Sequence, residues 1–231
     1  MLMSPQNLPE RINAVLEQLR QATAAAGRSA QSVTLLAAGK AQPPAALAEA
    51  ARCGLEHFGE SYLQEALEKI AALRELPLTW HFIGRLQTNK TRAIAENFAW
   101  VHGLDGVKIA QRLSAQRPFH APPLNVCLQV NLAAERTKGG VAPAELAPLA
   151  AAVAALPRLK LRGLMCIPPE ETEPVRQRDW FARLRVLRDD LNAGGLGLDT
   201  LSMGMSADFQ AAIAEGSTIV RLGTALFGPR P

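Results

Sequence analysis

The 231-residue chain is 48% hydrophobic and carries 25 lysines and arginines against 21 aspartates and glutamates, a net charge of +4. That length suits one large core, and a positive charge so mild and evenly spread argues against nucleic acid as a partner. Three scattered cysteines, Cys53, Cys127 and Cys166, give neither a disulfide framework nor zinc-ligand spacing, no apolar run reaches the ~18 residues needed to span a bilayer, and no basic-then-apolar leader opens the chain, so a reducing cytoplasm with no membrane contact is expected.

In chain order, Asn7 with Glu10 three residues on resembles a capping box, and Leu8, Ile12, Val15, Leu16 and Leu19 recur on one helical face, which predicts an amphipathic helix ending near Gly27. Ser32 to Lys40 is an apolar run closed by Pro43-Pro44 and reads as a buried parallel strand with Lys40 at its carboxyl end. By itself Lys40 reads as a solvated charge; only the later strand ends change that. Helices are expected at Pro44–Cys53 and Tyr62–Leu73, with His57–Glu60 as a short strand between them. Strands at 78–84, 100–104, 124–131, 159–165, 198–203 and 218–222 then alternate with helices at 88–97, 107–117, 143–156, the Trp180–Leu191 region and 207–215. The arginines Arg176, Arg178, Arg183, Arg185 and Arg188 on the fourth of these helices read as a solvated face.

Eight strands in strict βα order after one extra helix predict a single (β/α)8 TIM-type barrel over residues 1–231, because an open sheet would more often show fewer strands and a glycine-rich nucleotide fingerprint. The strand ends then hold Lys40, Glu60-Ser61, His81 with Gly84, Asp105, Asn131, Met165, Ser202 with Met203, and Arg221 with Gly223-Thr224. Barrels commonly bind phosphate with the loops after strands seven and eight, where Ser202 and Gly223-Thr224 stand. An amine on strand one and a phosphate site on strand eight suit a phosphorylated aldehyde, and pyridoxal 5′-phosphate (PLP) has that shape. Arg221 would then approach the pyridine nitrogen, where a permanent charge opposes ring protonation; alternatively it is a structural clamp on a carboxylate. His81, between Trp80 and Phe82, reads as a hydrogen-bonded barrel histidine lining the pocket rather than an acid or base.

The segments GKAQPP, HFGESYLQEALEK, WHFIGRLQTNK, VHGLD, LQVNLAAERTKGGV, LRGLM and LSMGMSADFQAAIAEGSTIVRLGTALFG together resemble the pyridoxal phosphate homeostasis protein family, from about residue 8 to the end. The resemblance implies a fold-type III barrel lacking the C-terminal β domain of alanine racemase, and a cytoplasmic role in holding PLP for buffering or delivery to PLP-dependent apoenzymes. It implies a covalent aldimine on Lys40, phosphate contacts at Ser202, Gly223 and Thr224, the ring-nitrogen arginine at Arg221, and Ser61, His81 and Met203 lining the same pocket. Gly39 stands where the family commonly has serine, and Ser61 where it has asparagine, which puts a polar contact near the cofactor in doubt. A weak PLP-dependent racemase or lyase is the competing reading. A racemase needs a second base, and the single tyrosine, Tyr62, has no additional domain to stand on. With no long apolar stripe left over, a monomer is expected.

Overall fold

The computed structural model describes residues 7–135 and 137–229. Its first helix, α1 (Leu8–Ala25), starts where Asn7 Oδ1 accepts the Glu10 N–H at 3.0 Å, satisfying a backbone donor orphaned by the helix start, while Asn7 Nδ2 donates to the Glu10 side chain at 3.2 Å. Leu8, Ile12, Val15 and Leu19 form its buried face. A single 3₁₀ turn over Ala30–Ser32 leads into β1 (Thr34–Ala38).

From there the chain alternates: α2 (Pro44–Arg52), β2 (His57–Glu60), α3 (Leu63–Ala72), β3 (Thr79–Phe82), α4 (Thr91–Asn97), β4 (Trp100–Leu104), α5 (Val107–Gln116) and β5 (Leu124–Gln129). The second half runs α6 (Pro143–Ala154), β6 (Leu159–Met165), α7 (Pro174–Ala193), β7 (Thr200–Ser202), α8 (Phe209–Ala214), β8 (Ile219–Leu222) and the single turn α9 (Thr224–Phe227). All pairings are parallel, and the sheet closes in sequence order with β8 against β1, so the expected (β/α)8 barrel is the observed fold. Strands one, three, five, seven and eight are shorter than expected. The residues removed from their carboxyl ends, such as Gly84 and Asn131, enter the loops of the carboxyl-end mouth, where their groups serve turns rather than ladders.

Strand alternation sorts side chains into two cores. Residues such as Phe58, Val101, Val126, Leu164, Leu201 and Leu222 point outward and pack with Leu47, Ile94, Leu113, Val153 and Phe181 of the surrounding helices. Met165, Ser202 and Ile219 are in register on neighbouring strands and share the inner face, as do Leu36 and Arg221 one layer up. The closure of β8 on β1 matters for function, since it sets Lys40 beside Arg221 and Gly223, which are about 180 residues away in sequence.

Candidate functional site at the carboxyl-end mouth

Lys40 follows β1 in a tight turn in which the Gln42 N–H donates to Gly39 O at 3.0 Å and Ala41 sits in the left-handed region at φ 63°. A non-glycine residue holds that conformation only when its surroundings over-determine it. The surroundings are a buried cluster on β2 and α3: Lys69 Nζ donates to Gly39 O at 2.7 Å, Glu60 Oε1 at 2.8 Å and Glu65 Oε1 at 2.6 Å, and Glu65 Oε1 also accepts the Ala41 N–H at 2.6 Å. A β carbon at Gly39 would stand 2.6 Å from Glu60 Oε1, so in this chain the glycine makes room for the carboxylate. The serine expected there from the family would need that carboxylate to swing aside.

Glu60 is fully buried and its Oε2 has no partner, so burial pushes its pKa up to about 7 against the pull of Lys69. Lys40 lies on this clamp and lines a cavity of about 410 Å³ with Gln42, Ser61, Glu170, Ser206, Arg221, Gly223 and Thr224, walled by Ala38, Ile83, Ile167, Met205 and Phe227. That volume is in the range of pockets that enclose a small ligand. Ser61 is held at the rim because its carbonyl packs on Gly84, where an added β carbon would come within 2.1 Å of Ser61 O. On the opposite wall the Ala225 N–H donates to Ser206 Oγ at 3.2 Å, tying the loop after β7 to the first turn of α9. Asp105 and Gln129 line a neighbouring cavity of about 210 Å³ that shares Ile83 and Ile167 with the first.

Arg221 is the buried cation of the mouth. Its Nη1 donates to Ser202 O at 2.6 Å and Ser202 Oγ at 2.9 Å, and its Nη2 donates to Cys166 O at 2.9 Å. No carboxylate hydrogen-bonds or bridges to it among the described contacts, so carbonyl and hydroxyl dipoles hold it, with the Asp208 carboxylate acting on its charge from farther off. Burial lowers its pKa from the ordinary arginine value, yet a guanidinium remains charged. Asp208, expected only as a charge at the start of α8, accepts the Met205 N–H at 2.6 Å, and burial raises its carboxyl pKa.

Of the residues expected at the site, Lys40, Ser61, Arg221, Gly223 and Thr224 converge on the cavity, while Ser202, His81 and Met203 do not line it. Ser202, expected as a phosphate contact, points instead into the barrel, its Oγ 2.7 Å from His102 Nδ1 and bound by Arg221. Ser206, four residues on, is the serine that reaches the cavity. Met203, just past the end of β7, continues its outward phase and belongs to the outer apolar core. His81 lies deeper in the barrel between His57 and His102. Sequence reasoning missed Ser206, Gln42, Glu170 and the clamp residue Lys69. Only Ser206 carried a signal, since it sits in the post-strand-seven loop already singled out for phosphate.

The alanine racemase N-terminal domain model matches residues 12–231. The pyridoxal phosphate homeostasis protein of Pseudomonas aeruginosa is 59% identical over 223 residues, covering 96% of each chain, and that of Escherichia coli K12 is 50% identical over 219 residues, covering 94% of each. PipY of Synechococcus elongatus PCC7942, solved with PLP bound, superposes with a TM-score of 0.86 at 38% identity, covering 96% of this chain and 100% of that one. With its closed barrel, a lysine just after β1 that shares a cavity with an arginine of β8, and this similarity along nearly the whole chain, the protein belongs to the pyridoxal phosphate homeostasis protein family.

Proposed function

We propose that this protein holds PLP reversibly as a Schiff base on Lys40 and serves its homeostasis, buffering the free aldehyde or passing it to PLP-dependent apoenzymes. The observation that carries this reading is the convergence, in one cavity of about 410 Å³, of Lys40, Ser206, Gly223-Thr224 and Arg221. PLP brings an aldehyde that condenses with an amine, releasing water, and a phosphate dianion. Lys40 is the amine. Ser206 Oγ and the backbone N–H groups that open α9 are suited to the phosphate, and Arg221 is the partner for the ring nitrogen, where its fixed charge keeps the nitrogen unprotonated and weakens the ring as an electron sink. The mouth is open, so water reaches Lys40 and the covalent link is free to hydrolyse, as suits a carrier more than a catalyst.

The purified protein is expected to be yellow, and borohydride reduction should fix the label on Lys40. Lys40→Ala should lose both the colour and the covalent label; an unchanged absorption band in that variant would refute the assignment. Tyr62 is 65% exposed and does not line the cavity, so it offers no second base there, and Glu170 is the carboxylate that does. Rapid exchange of the α-proton of an amino acid, dependent on Lys40 and Glu170, would instead establish the racemase or lyase reading.

A further inference from the structure

Behind Arg221 a line of four hydrogen bonds crosses the barrel interior. Arg221 Nη1 donates to Ser202 Oγ at 2.9 Å, Ser202 Oγ lies 2.7 Å from His102 Nδ1, His102 Nε2 lies 2.9 Å from His81 Nδ1, and His81 Nε2 lies 3.0 Å from His57 Nδ1. Ser202, His102 and His81 are fully buried. His57 is half-buried and lines a separate cavity of about 610 Å³ on the other side of the barrel, between α1 and the first residues of β1 and β2. The rings form a line rather than converging on a point, and among the described residues no trio of His, Cys, Asp or Glu could hold a metal.

Donor and acceptor roles are fixed from the Arg221 end. A guanidinium only donates, so Ser202 Oγ accepts from Arg221; the hydroxyl's one other partner among the described hydrogen bonds is His102 Nδ1, so its own hydrogen goes there. That nitrogen therefore accepts, and the proton of a neutral His102 sits on Nε2, aimed at His81 Nδ1. The same step repeats at His81, leaving His57 with its proton on Nε2 toward the outer cavity. The rings are neutral: burial lowers all three pKa values, that of His102 to about 3 with the Arg221 charge adding to the effect. Every dipole in the line thus turns its negative end toward Arg221, adding to the attraction of the Asp208 carboxylate, which makes no hydrogen bond to it among those described. Two features hold the geometry: β4 carries one extra residue between Val101 and Leu104, re-aiming the strand at His102, and His81 stacks on Trp100 with ring centroids 5.5 Å apart and planes 8° from parallel.

We propose that Ser202, His102, His81 and His57 form a directional hydrogen-bond relay that fixes the Arg221 guanidinium in the Lys40 cavity, making them positioning residues for the ring nitrogen of the bound ligand. The positioning role rests on the PLP reading above; the relay itself does not.

Nitrogen NMR on histidine-labelled, ligand-free protein tests the relay. At pH 7 all three rings are expected neutral with hydrogen on Nε2, and Ser202→Ala or His57→Leu should each move the resonances of the remaining rings. Hydrogen on Nδ1, or His81 and His57 unmoved by Ser202→Ala, would overturn the relay whatever the protein binds. Should Ser202→Ala fail to fold, His57→Leu, at the half-buried end, carries the same test through His81 and His102. Titration with PLP then tests positioning: Ser202→Ala and His102→Leu should each weaken binding about 5–10-fold, the effect of about one hydrogen bond, and shift the absorption band. His102→Asn, which keeps an acceptor in the place of Nδ1, should recover most of that loss. Affinity and spectrum unchanged in both weakened variants would overturn the positioning role while leaving PLP binding intact. A wild-type protein that binds no PLP would refute the earlier reading and the positioning role with it, and the NMR result alone would then judge the relay.

Discussion

Two buried cations flank the Lys40 turn, and they are buried by opposite means. Lys69, 2% exposed, is surrounded by two carboxylates and a carbonyl, so its charge is cancelled locally and what remains is a strong mechanical tie on the Gly39–Ala41 turn. Arg221, 6% exposed, is surrounded by two carbonyls and a hydroxyl backed by neutral imidazoles, so it keeps its charge and presents it to the cavity. A carboxylate-paired cation is suited to fixing structure, and a dipole-held cation to meeting a ligand. The same mouth therefore separates the task of setting the turn that bears the Lys40 amine from that of setting the charge of the cavity it lines.

That contrast can be broken by substitution. Lys69→Met should be the most damaging change, costing about 3 kcal/mol in urea denaturation, because it leaves Glu60 buried opposite no cation and Gly39 O without its donor. Arg221→Met should cost less, about 1–2 kcal/mol, since it orphans the Ser202 and Cys166 carbonyls but no charge, while its effect on bound PLP should be the larger. A greater stability loss at Arg221 than at Lys69 would erase the distinction.

The subtlest effect is on pH dependence. The carboxyl pKa of Glu60 is raised in the folded protein to about 7, so its contribution to stability is fully present below its unfolded value, declines as pH rises from there, and is gone above about 7. Glu60→Gln keeps an oxygen for Lys69 and removes the titration, so it should gain on the wild type across that window and run parallel to it above. Melting temperature against pH would show this, and parallel curves throughout would place the titration elsewhere.

Much of this architecture was legible in the chain. Apolar strands at regular spacing, glycine and proline stops and the Asn7–Glu10 cap are local signals, and each element they predicted exists. Convergence on the cavity was legible where it depended on which strand end a residue occupies, as for Lys40, Ser61, Arg221 and Gly223-Thr224. It was not legible where a one-residue phase decides the face: Ser202 at the end of β7 and Met203 just after it are adjacent, yet one turns into the barrel and the other to the helices, and neither to the mouth. The arginines of α7, read as a solvated face, include Arg178 and Arg185, which reach Glu215 of the next unit at 2.7 and 3.1 Å.

The sequence by itself determined the order of strands and helices, the closed barrel they imply and the family, because hydrophobic period and turn residues are properties of contiguous segments. Only the tertiary structure decided which charges are paired inside the fold and which line the cavity. Lys69, Glu60, Arg221 and the three histidines acquire their roles from burial and from partners on other strands, and the free energy of a buried charge depends on that surrounding shell rather than on its neighbours in sequence.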